Sequence, residues 1–411
     1  MKNYILGLIT SLILIAVFSF SRKTNNINTE SKAEEVLLIL KEYKSHQFYV
    51  EQAKLWQQEL ELDKKDENAW FNLFKANRFA KLTYNSENTP ELSWGKNTEW
   101  IKEADHLMEG KEIIQKIEAN IPGTFMAYYL KFYNSNGMGE KSFHLLEKAY
   151  AINPDFYEIY DDFIAHYELT GNEEKRKEFN GKWFDSNDFS ENLLNYHFNV
   201  LSSLKENSVI FSYGDNDFYG PKMLQDALGI REDITVVNVP MMLSKIEYRN
   251  SIFKKLNVKL FNKDYGDDYS ENNMKEMIDY IIANRSNNLP LYFGLNCSDS
   301  LKKNFEANLY MVGLVLEYSE ENIDNIAILK NNFDNKYLLD YINIQFTNDS
   351  YDMSLNGNYL HGISCLYDHY KISGDLTKSK EMKDLALTIV NDLEGDRYKD
   401  YKTWALNHFS K

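Results

Sequence analysis

The chain has 411 residues, of which 43% are hydrophobic and 14% aromatic, so a core divided over two or three domains is expected and a disordered chain is excluded. Lysine and arginine number 46 against 62 aspartates and glutamates, and the net charge of −16 argues against nucleic acid or an anionic lipid surface as partners. With 6 prolines and 18 glycines, the chain is predicted to be mostly helical.

The N-terminal segment is typical of an exported protein. Residues 4–20 are uncharged and rich in Ile, Leu, Val and Phe, and basic residues border them on both sides. Ser19 and Ser21 are small residues at the positions that signal cleavage requires, so residues 1–21 are either a signal peptide or a membrane anchor. A polar linker, 22–35, follows. We therefore expect a protein that is exported to the periplasm or anchored in the inner membrane facing it, with no other contact to the membrane.

Residues 36–200 have the spacing of apolar residues that is typical of helices. A polar turn at 63–68 divides the stretch 49–77 into a predicted helical hairpin. A second pair of helices is predicted within LLEKAYAINPDFYEIYDDFIAHYELTGNEEK, where Pro154 separates the helices and Gly171 ends the second. This sequence resembles the junction between two tetratricopeptide repeats, which implies stacked helical hairpins.

Residues 201–325 are predicted to form a small α/β domain, because short β-branched and aromatic runs replace the helical spacing. Strand, helix and strand follow one another at 208–212, 221–228 and 234–239, and such a unit implies parallel strands with a right-handed crossover. In this interpretation Pro221 begins the crossover helix. Further strands are predicted at 258–261 and 291–294, and further helices at 271–283 and 301–309.

Residues 326–411 return to helical spacing, with a turn at Gly374. A helical hairpin cannot bury its apolar stripe alone, so this region is expected to pack on the α/β domain or on a partner. The predicted fold class is mostly α with an α/β domain: tetratricopeptide-like helical hairpins flank a small parallel-sheet βαβ domain.

The strongest candidate for a functional site is the turn after the first predicted strand. Asp215 and Asp217 follow its carboxyl end, which is where ligands bind in open α/β sheets. In an extended backbone their carboxylates would point to the same side and could hold a divalent cation such as Mg²⁺ or accept hydrogen bonds from sugar hydroxyls. The alternative is structural, since aspartates before a helix cap its free N–H groups.

The sequence around this turn, SVIFSYGDNDFYGPKMLQDALGIREDITVVNVPMML, resembles the soluble C-terminal region of large bacterial membrane proteins of the protein O-mannosyltransferase-like or glycosyltransferase-like family. LPLYFGLN resembles a second block of the same region. The relatives carry many membrane spans where this chain has one apolar segment, so the resemblance implies the soluble appendage without the catalytic body.

The resemblance implies a polar, ligand-facing turn formed by Asp215, Asn216 and Asp217. Arg231 and Asn238 are possible supports, although a structural turn of Arg231 with Asp233 is the favoured interpretation for that arginine. No catalytic residue is assigned, no cofactor is expected, and a divalent cation at Asp215 and Asp217 belongs to the alternative function only.

Other chemistry is weakly represented in the sequence. Cys297 and Cys365 are too few for a disulfide scaffold or a cysteine zinc site, and two free buried thiols are expected. The eight histidines show no metal-ligand spacing, and Ser364 is expected on a helix rather than at a nucleophile elbow.

Two functional hypotheses follow. The first is a non-catalytic scaffold of the bacterial cell envelope that is exported or tethered to the membrane and binds a protein partner. The alternative is an accessory or catalytic component of envelope glycosyl transfer that binds a cation or sugar at Asp215 and Asp217.

Overall fold

The structure is a computed structural model that describes residues 32–38, 41–42, 44–88, 102, 104–135, 140–266, 268–286, 289–343, 355–393 and 398–410. The predicted export segment 1–21 and most of the predicted linker 22–35 lie outside the described residues. Among the helices of the described ranges, none is both long enough and apolar enough to cross a bilayer.

The first part of the described chain consists of helices that pack largely on their neighbours in the sequence. They are α1 (His46–Leu62), α2 (Glu67–Asn88), α3 (Gly110–Asn120), α4 (Phe125–Asn134), α5 (Glu140–Ile152), α6 (Tyr160–Thr170), α7 (Glu173–Asp185) and α8 (Glu191–Ser202). Side chains cap several of them: Ser45 accepts a hydrogen bond from the Phe48 N–H at the start of α1. Gly171 takes the left-handed conformation after α6, with φ 72°. The predicted hairpin within 49–77 and the helix break at Pro154 are both confirmed.

A mixed sheet follows, with the strand order β2-β1-β3-β5-β4. Its strands are β1 (Val209–Ser212), β2 (Thr235–Asn238), β3 (Leu291–Gly294), β4 (Leu309–Met311) and β5 (Val315–Tyr318). The helices between them are α9 (Asn216–Leu228), α10 (Val239–Ser244), α11 (Ile246–Lys255), α12 (Glu271–Asn284) and α13 (Asp299–Lys303). Strand β1 pairs in parallel with β2 and β3, while β5 is antiparallel to both β3 and β4.

The predicted βαβ unit and the strand at 291–294 are confirmed, but the start of the crossover helix is not at Pro221. Helix α9 begins at Asn216, and Pro221 lies inside it. Proline lacks the N–H that would donate to the carbonyl oxygen four residues earlier, which here belongs to Asp217. The residues predicted to form an extended turn therefore form the first turn of the helix.

Two further predictions for this region are wrong. Residues 258–261 are not a strand: Val258 is buried but Leu260, two residues on, is 51% exposed, so the segment lacks the alternating burial of a strand and is irregular. Residues 301–309 are not one helix, since α13 ends at Lys303 and β4 begins at Leu309. Strands β4 and β5 were not predicted, because they are only partly buried and form no continuous buried run like those of β1, β2 and β3.

The chain ends in a second helical region. It contains α14 (Asn325–Asn331), α15 (Asp340–Asn343), α16 (Tyr359–Ser373), α17 (Leu376–Asp392) and α18 (Lys399–Phe409). Gly374 ends α16 in the left-handed conformation, as predicted. Asn199 of α8 donates hydrogen bonds to the Tyr359 hydroxyl over 2.7 Å and to the Leu338 carbonyl over 2.9 Å, which holds this region against the first.

The main hydrophobic core runs through all three regions, from Leu60 to Phe409. The predicted boundaries at 200/201 and 325/326 stay predictions, because apolar packing is continuous across both. Cys297 is buried and Cys365 half-buried, and both are free thiols.

Candidate functional site

The candidate site lies at the carboxyl edge of the parallel strands. The chain passes from β1 to β2 on one side and then crosses to β3 on the other side of β1. The direction of winding therefore reverses between β1 and β3, and this switch point is where ligands bind in open α/β sheets. The segments that follow these two strands carry Asp215, Asp217 and Asn296.

Asp217 and Asn296 meet at the switch point. The Asn296 amide donates a 2.6 Å hydrogen bond to Oδ1 of Asp217, and it joins the turn after β1 to the turn after β3. The second carboxylate oxygen, Oδ2, is buried and has no hydrogen-bond partner among the described residues. Burial raises the pKa of Asp217 to about 7, against the opposing effects of the Asn296 hydrogen bond and the positive charge of Lys302.

Two glycines allow the strands to approach this closely. Gly214, after β1, has φ 105°, a conformation that residues with a Cβ rarely adopt. A Cβ at Gly294 would lie 3.3 Å from the Phe211 carbonyl oxygen and 3.8 Å from Oδ2 of Asp217. A side chain at position 294 would therefore press on the Phe211 carbonyl oxygen and come into contact with the carboxylate.

Asp215 does not cap the helix through its side chain. It occupies the N-cap position of α9, but its carboxylate makes no capping hydrogen bond, and its backbone is helical rather than extended. The expectation that Asp215 and Asp217 point to the same side because of an extended backbone is therefore wrong. Asp217 accepts a hydrogen bond from Asn296, whereas Asp215 is close enough to Asp161 and Asp162 for its charge to act on both.

Asp161 and Asp162, in the first turn of α6, bring the first helical region to the site. The Tyr219 hydroxyl of α9 donates to the Asp161 carbonyl oxygen over 3.3 Å, and the Asp162 N–H donates to Oδ1 of Asp161 over 2.9 Å. Burial, and then the negative charge of Asp215, raise the pKa of Asp161. Burial also raises the pKa of Asp162 and of Asp215.

The remaining predicted site residues have structural partners. Arg231 lies before β2, at the opposite edge of the sheet from Asp217, and donates to Asp233 and to the carbonyl oxygens of Leu201 and Leu204. Asn238 does lie at the carboxyl edge, but it is buried and its Oδ1 accepts the Met241 N–H at the start of α10. The side chain of Asn216 lies outside the described part of the chain.

Sequence reasoning missed Asn296, Asp161 and Asp162. Asn296 had a usable signal, since it follows a correctly predicted strand and the carboxyl ends of parallel strands share one edge. The aspartates of α6 had none, because only tertiary packing brings them to the turn after β1.

A metal centre is not evident in the described ranges. They contain no group of three or more His, Cys, Asp or Glu side chains arranged to hold a metal ion. A surface cavity of about 690 Å³ lies elsewhere, beside α3, and its lining includes none of the predicted site residues.

The structure defines a mostly helical protein with an inserted α/β domain, and the switch point of its sheet is polar. Residues 194–356, which include the whole sheet and Asp215, Asp217 and Asn296 of the candidate site, match the family described as TMEM260-associated domain 2. This match is consistent with similarity to TMEM260 and O-mannosyltransferase-like proteins. A comparison with curated proteins finds no match.

Proposed function

We propose that this protein is an exported accessory component of glycosyl transfer in the bacterial cell envelope, and that its α/β region binds a sugar at the switch point. The proposed role is binding rather than catalysis. The two helical regions, tetratricopeptide-like in sequence, serve as a scaffold for an envelope protein partner. Residues 1–21 deliver the chain to the periplasm or anchor it in the inner membrane.

One observation carries the proposal: Asp217 has one oxygen fixed by Asn296 and a second, buried oxygen that has no hydrogen-bond partner among the described residues. A sugar hydroxyl that reaches this oxygen supplies the donor that it lacks, since a buried acceptor without a donor is costly. Asn296 is solvent-exposed, so its amide can contact the same sugar. The match of residues 194–356 to TMEM260-associated domain 2 is consistent with an O-mannosyltransferase-like family, which supports a sugar as the ligand.

Direct sugar binding is favoured over a bound cation. Asp215 and Asp217 have different neighbours, and a divalent cation prefers 6 or more oxygen ligands. The cation hypothesis predicts that Mg²⁺ binds the wild type and that D215A and D217A each abolish this binding.

The proposal is tested by calorimetry with methyl α-mannoside and GDP-mannose as probes. Asp217→Asn keeps the shape of the side chain and removes its charge, so we expect affinity to fall roughly 10- to 100-fold, the usual loss for a hydrogen bond to a charged group. Glu232→Gln is the matched control, since Glu232 is exposed and pairs with Lys177. A folded wild type that binds neither probe, or a D217N variant that binds as tightly as the wild type, would contradict sugar binding.

The scaffold role is tested separately by pull-down from envelope fractions. We expect the wild type and D217N to recover the same partner, because the substitution alters a single side chain of the α/β region and leaves the side chains of both helical regions unchanged. Recovery of no partner by either chain would remove the scaffold part of the proposal and leave the sugar site unaffected.

A further inference from the structure

The segment 32–38, here called the N-terminal strap, contains no helix, strand or turn and lies against α1 and α2. It is held mainly through its backbone. The Glu34 N–H donates to Oε1 of Gln52 over 2.8 Å, and the Glu34 carbonyl oxygen accepts from Nε1 of Trp56 over 2.8 Å. Two residues on, the Val36 N–H donates to Oδ1 of Asn72 over 2.7 Å.

These contacts have the pattern by which proteins bind extended peptides. Helix side chains bond the backbone of alternate strap residues, 34 and 36, so the bonds do not depend on which side chains the strap carries. Gln52 is 3% exposed and Asn72 is 1% exposed, so both amides are positioned by packing rather than by solvent. Any extended segment in the same register would make the same hydrogen bonds.

The main apolar anchor of the strap is Val36, and Leu38 also packs, partly buried, on the same small core. Val36 is fully buried in a small core that is separate from the main one, with Tyr49, Val50, Ala53 and Phe79 among its members. Leu37 points the other way and is 39% exposed. An apolar side chain at this position is therefore the main side-chain requirement of the groove.

The groove also has a positive charge that faces an acidic strap. Lys75 of α2 is 2% exposed, lies 3.8 Å from the centre of the Phe71 ring and has no hydrogen-bond or ion-pair partner among the described residues. Burial lowers the pKa of Lys75, and the carboxylates of Glu158 and Glu35 oppose this change. Glu35 belongs to the strap, so an acidic residue before the anchor complements the groove.

We propose that the surface of Gln52, Trp56, Asn72 and Lys75 is a peptide-binding groove for an extended acidic segment of a partner protein with an apolar anchor, and that the strap occupies this groove in cis. The strap competes as a tethered ligand, with an effective concentration on the order of millimolar. A partner segment therefore binds well only when the strap is weakened or displaced.

The test uses the full chain and a fluorescent synthetic peptide with the sequence of residues 32–38. The Val36→Asp variant places a charge in the apolar anchor site and should release the strap. We expect this variant to bind the peptide at least tenfold more tightly than the wild type, as measured by fluorescence anisotropy. The matched control is Leu37→Asp, which alters an exposed strap residue and should bind no more tightly than the wild type.

Three further measurements identify the groove. The same peptide with Asp in place of its valine should not bind the V36D chain, and the peptide with Lys in place of its second glutamate should bind that chain more weakly. Addition of Gln52→Ala to V36D should reduce the affinity of the chain for the original peptide. Val36→Ala adds no charge and keeps the test valid should V36D unfold. We expect the Val36→Ala chain, too, to bind the peptide more tightly than the wild type. Unchanged affinity in both V36 variants would overturn the proposal, as would equal binding of the valine and aspartate peptides. Concentration-dependent dimerisation of the wild type through its strap would show that the groove binds a second copy of this chain. That result would also overturn the proposal that the groove binds a segment of a partner protein.

Discussion

The guanidinium group of Arg176 on α7 donates two hydrogen bonds to the carboxylate of Asp226 on α9, from Nε over 2.8 Å and from Nη2 over 3.0 Å. Its Nη1 donates to Glu168 over 2.8 Å, and Lys222 lies 3.9 Å from the same glutamate. All four side chains are at most 8% exposed. Two positive and two negative charges thus compensate one another where the first helical region packs on the α/β region.

Removal of one charge from this cluster should be costly. Asp226→Ala leaves Arg176 and Lys222 with Glu168 as the only carboxylate of the cluster, and we expect the free energy of unfolding to fall by about 3–5 kcal/mol, as is typical for breaking a buried ion pair. Thermal and urea unfolding measure the loss. Glu232→Ala, which breaks an exposed pair with Lys177, should cost under about 1 kcal/mol. Equal losses in the two variants would mean that the buried cluster does not hold the regions together.

His197 on α8 should make stability depend on pH. Its ring is 1% exposed, neither nitrogen has a hydrogen-bond partner among the described residues, and it packs so closely on Gly220 that a Cβ there would lie 2.0 Å from Cδ2. Burial lowers the pKa of His197 to about 3. The unfolded chain therefore takes up a proton near pH 6.5 while the folded chain does not, and stability falls as the pH falls from 6.5 towards 3.

The prediction is measured as a difference between two chains. His197→Phe keeps an aromatic ring and removes the titration, so the wild type should lose stability relative to this variant by about 1.4 kcal/mol per pH unit below pH 6.5. Chemical denaturation at pH 7, 6, 5 and 4 gives the slope. His144→Phe, at an exposed histidine, should show no such slope relative to the wild type. A constant difference between wild type and H197F over this range would contradict a neutral, buried His197.

Much of the fold could be predicted because its signals are local. The left-handed glycines at 171 and 374 end helices where the sequence indicates, and β1, β2 and β3 are continuous buried runs of four residues. The antiparallel strands β4 and β5 could not be recognised, since each depends on pairing with a partner rather than on its own sequence. The start of α9 was misplaced because Pro221 is a common first residue of helices but here lies within one.

The candidate site was predicted in position but not in composition. The carboxyl edge of a parallel strand correctly located Asp217, because that rule follows from topology alone. Its partner Asn296 lies 79 residues away in sequence, and no local pattern links the two. Arg231 was grouped with the site by similarity, although it precedes β2 and so lies at the other edge.

Asp161 on α6 should destabilise the folded protein at neutral pH. Burial, followed by the charge of Asp215, raises the pKa of Asp161 above its ordinary value of 3.8. As the pH rises, the unfolded chain releases this proton first. Stability is therefore greatest below pH 3.8 and is lost as the pH rises through the pKa of the folded chain.

The substitution Asp161→Asn keeps an oxygen that can accept the Asp162 N–H and removes the charge. It should raise the melting temperature at pH 8 and change it little at pH 4. Asp155→Asn, at an exposed aspartate, is the control and should behave alike at both pH values. A D161N variant with the same change in melting temperature at pH 4 and pH 8 would show that the carboxyl of Asp161 titrates normally and that its charge is not opposed by the turn after β1.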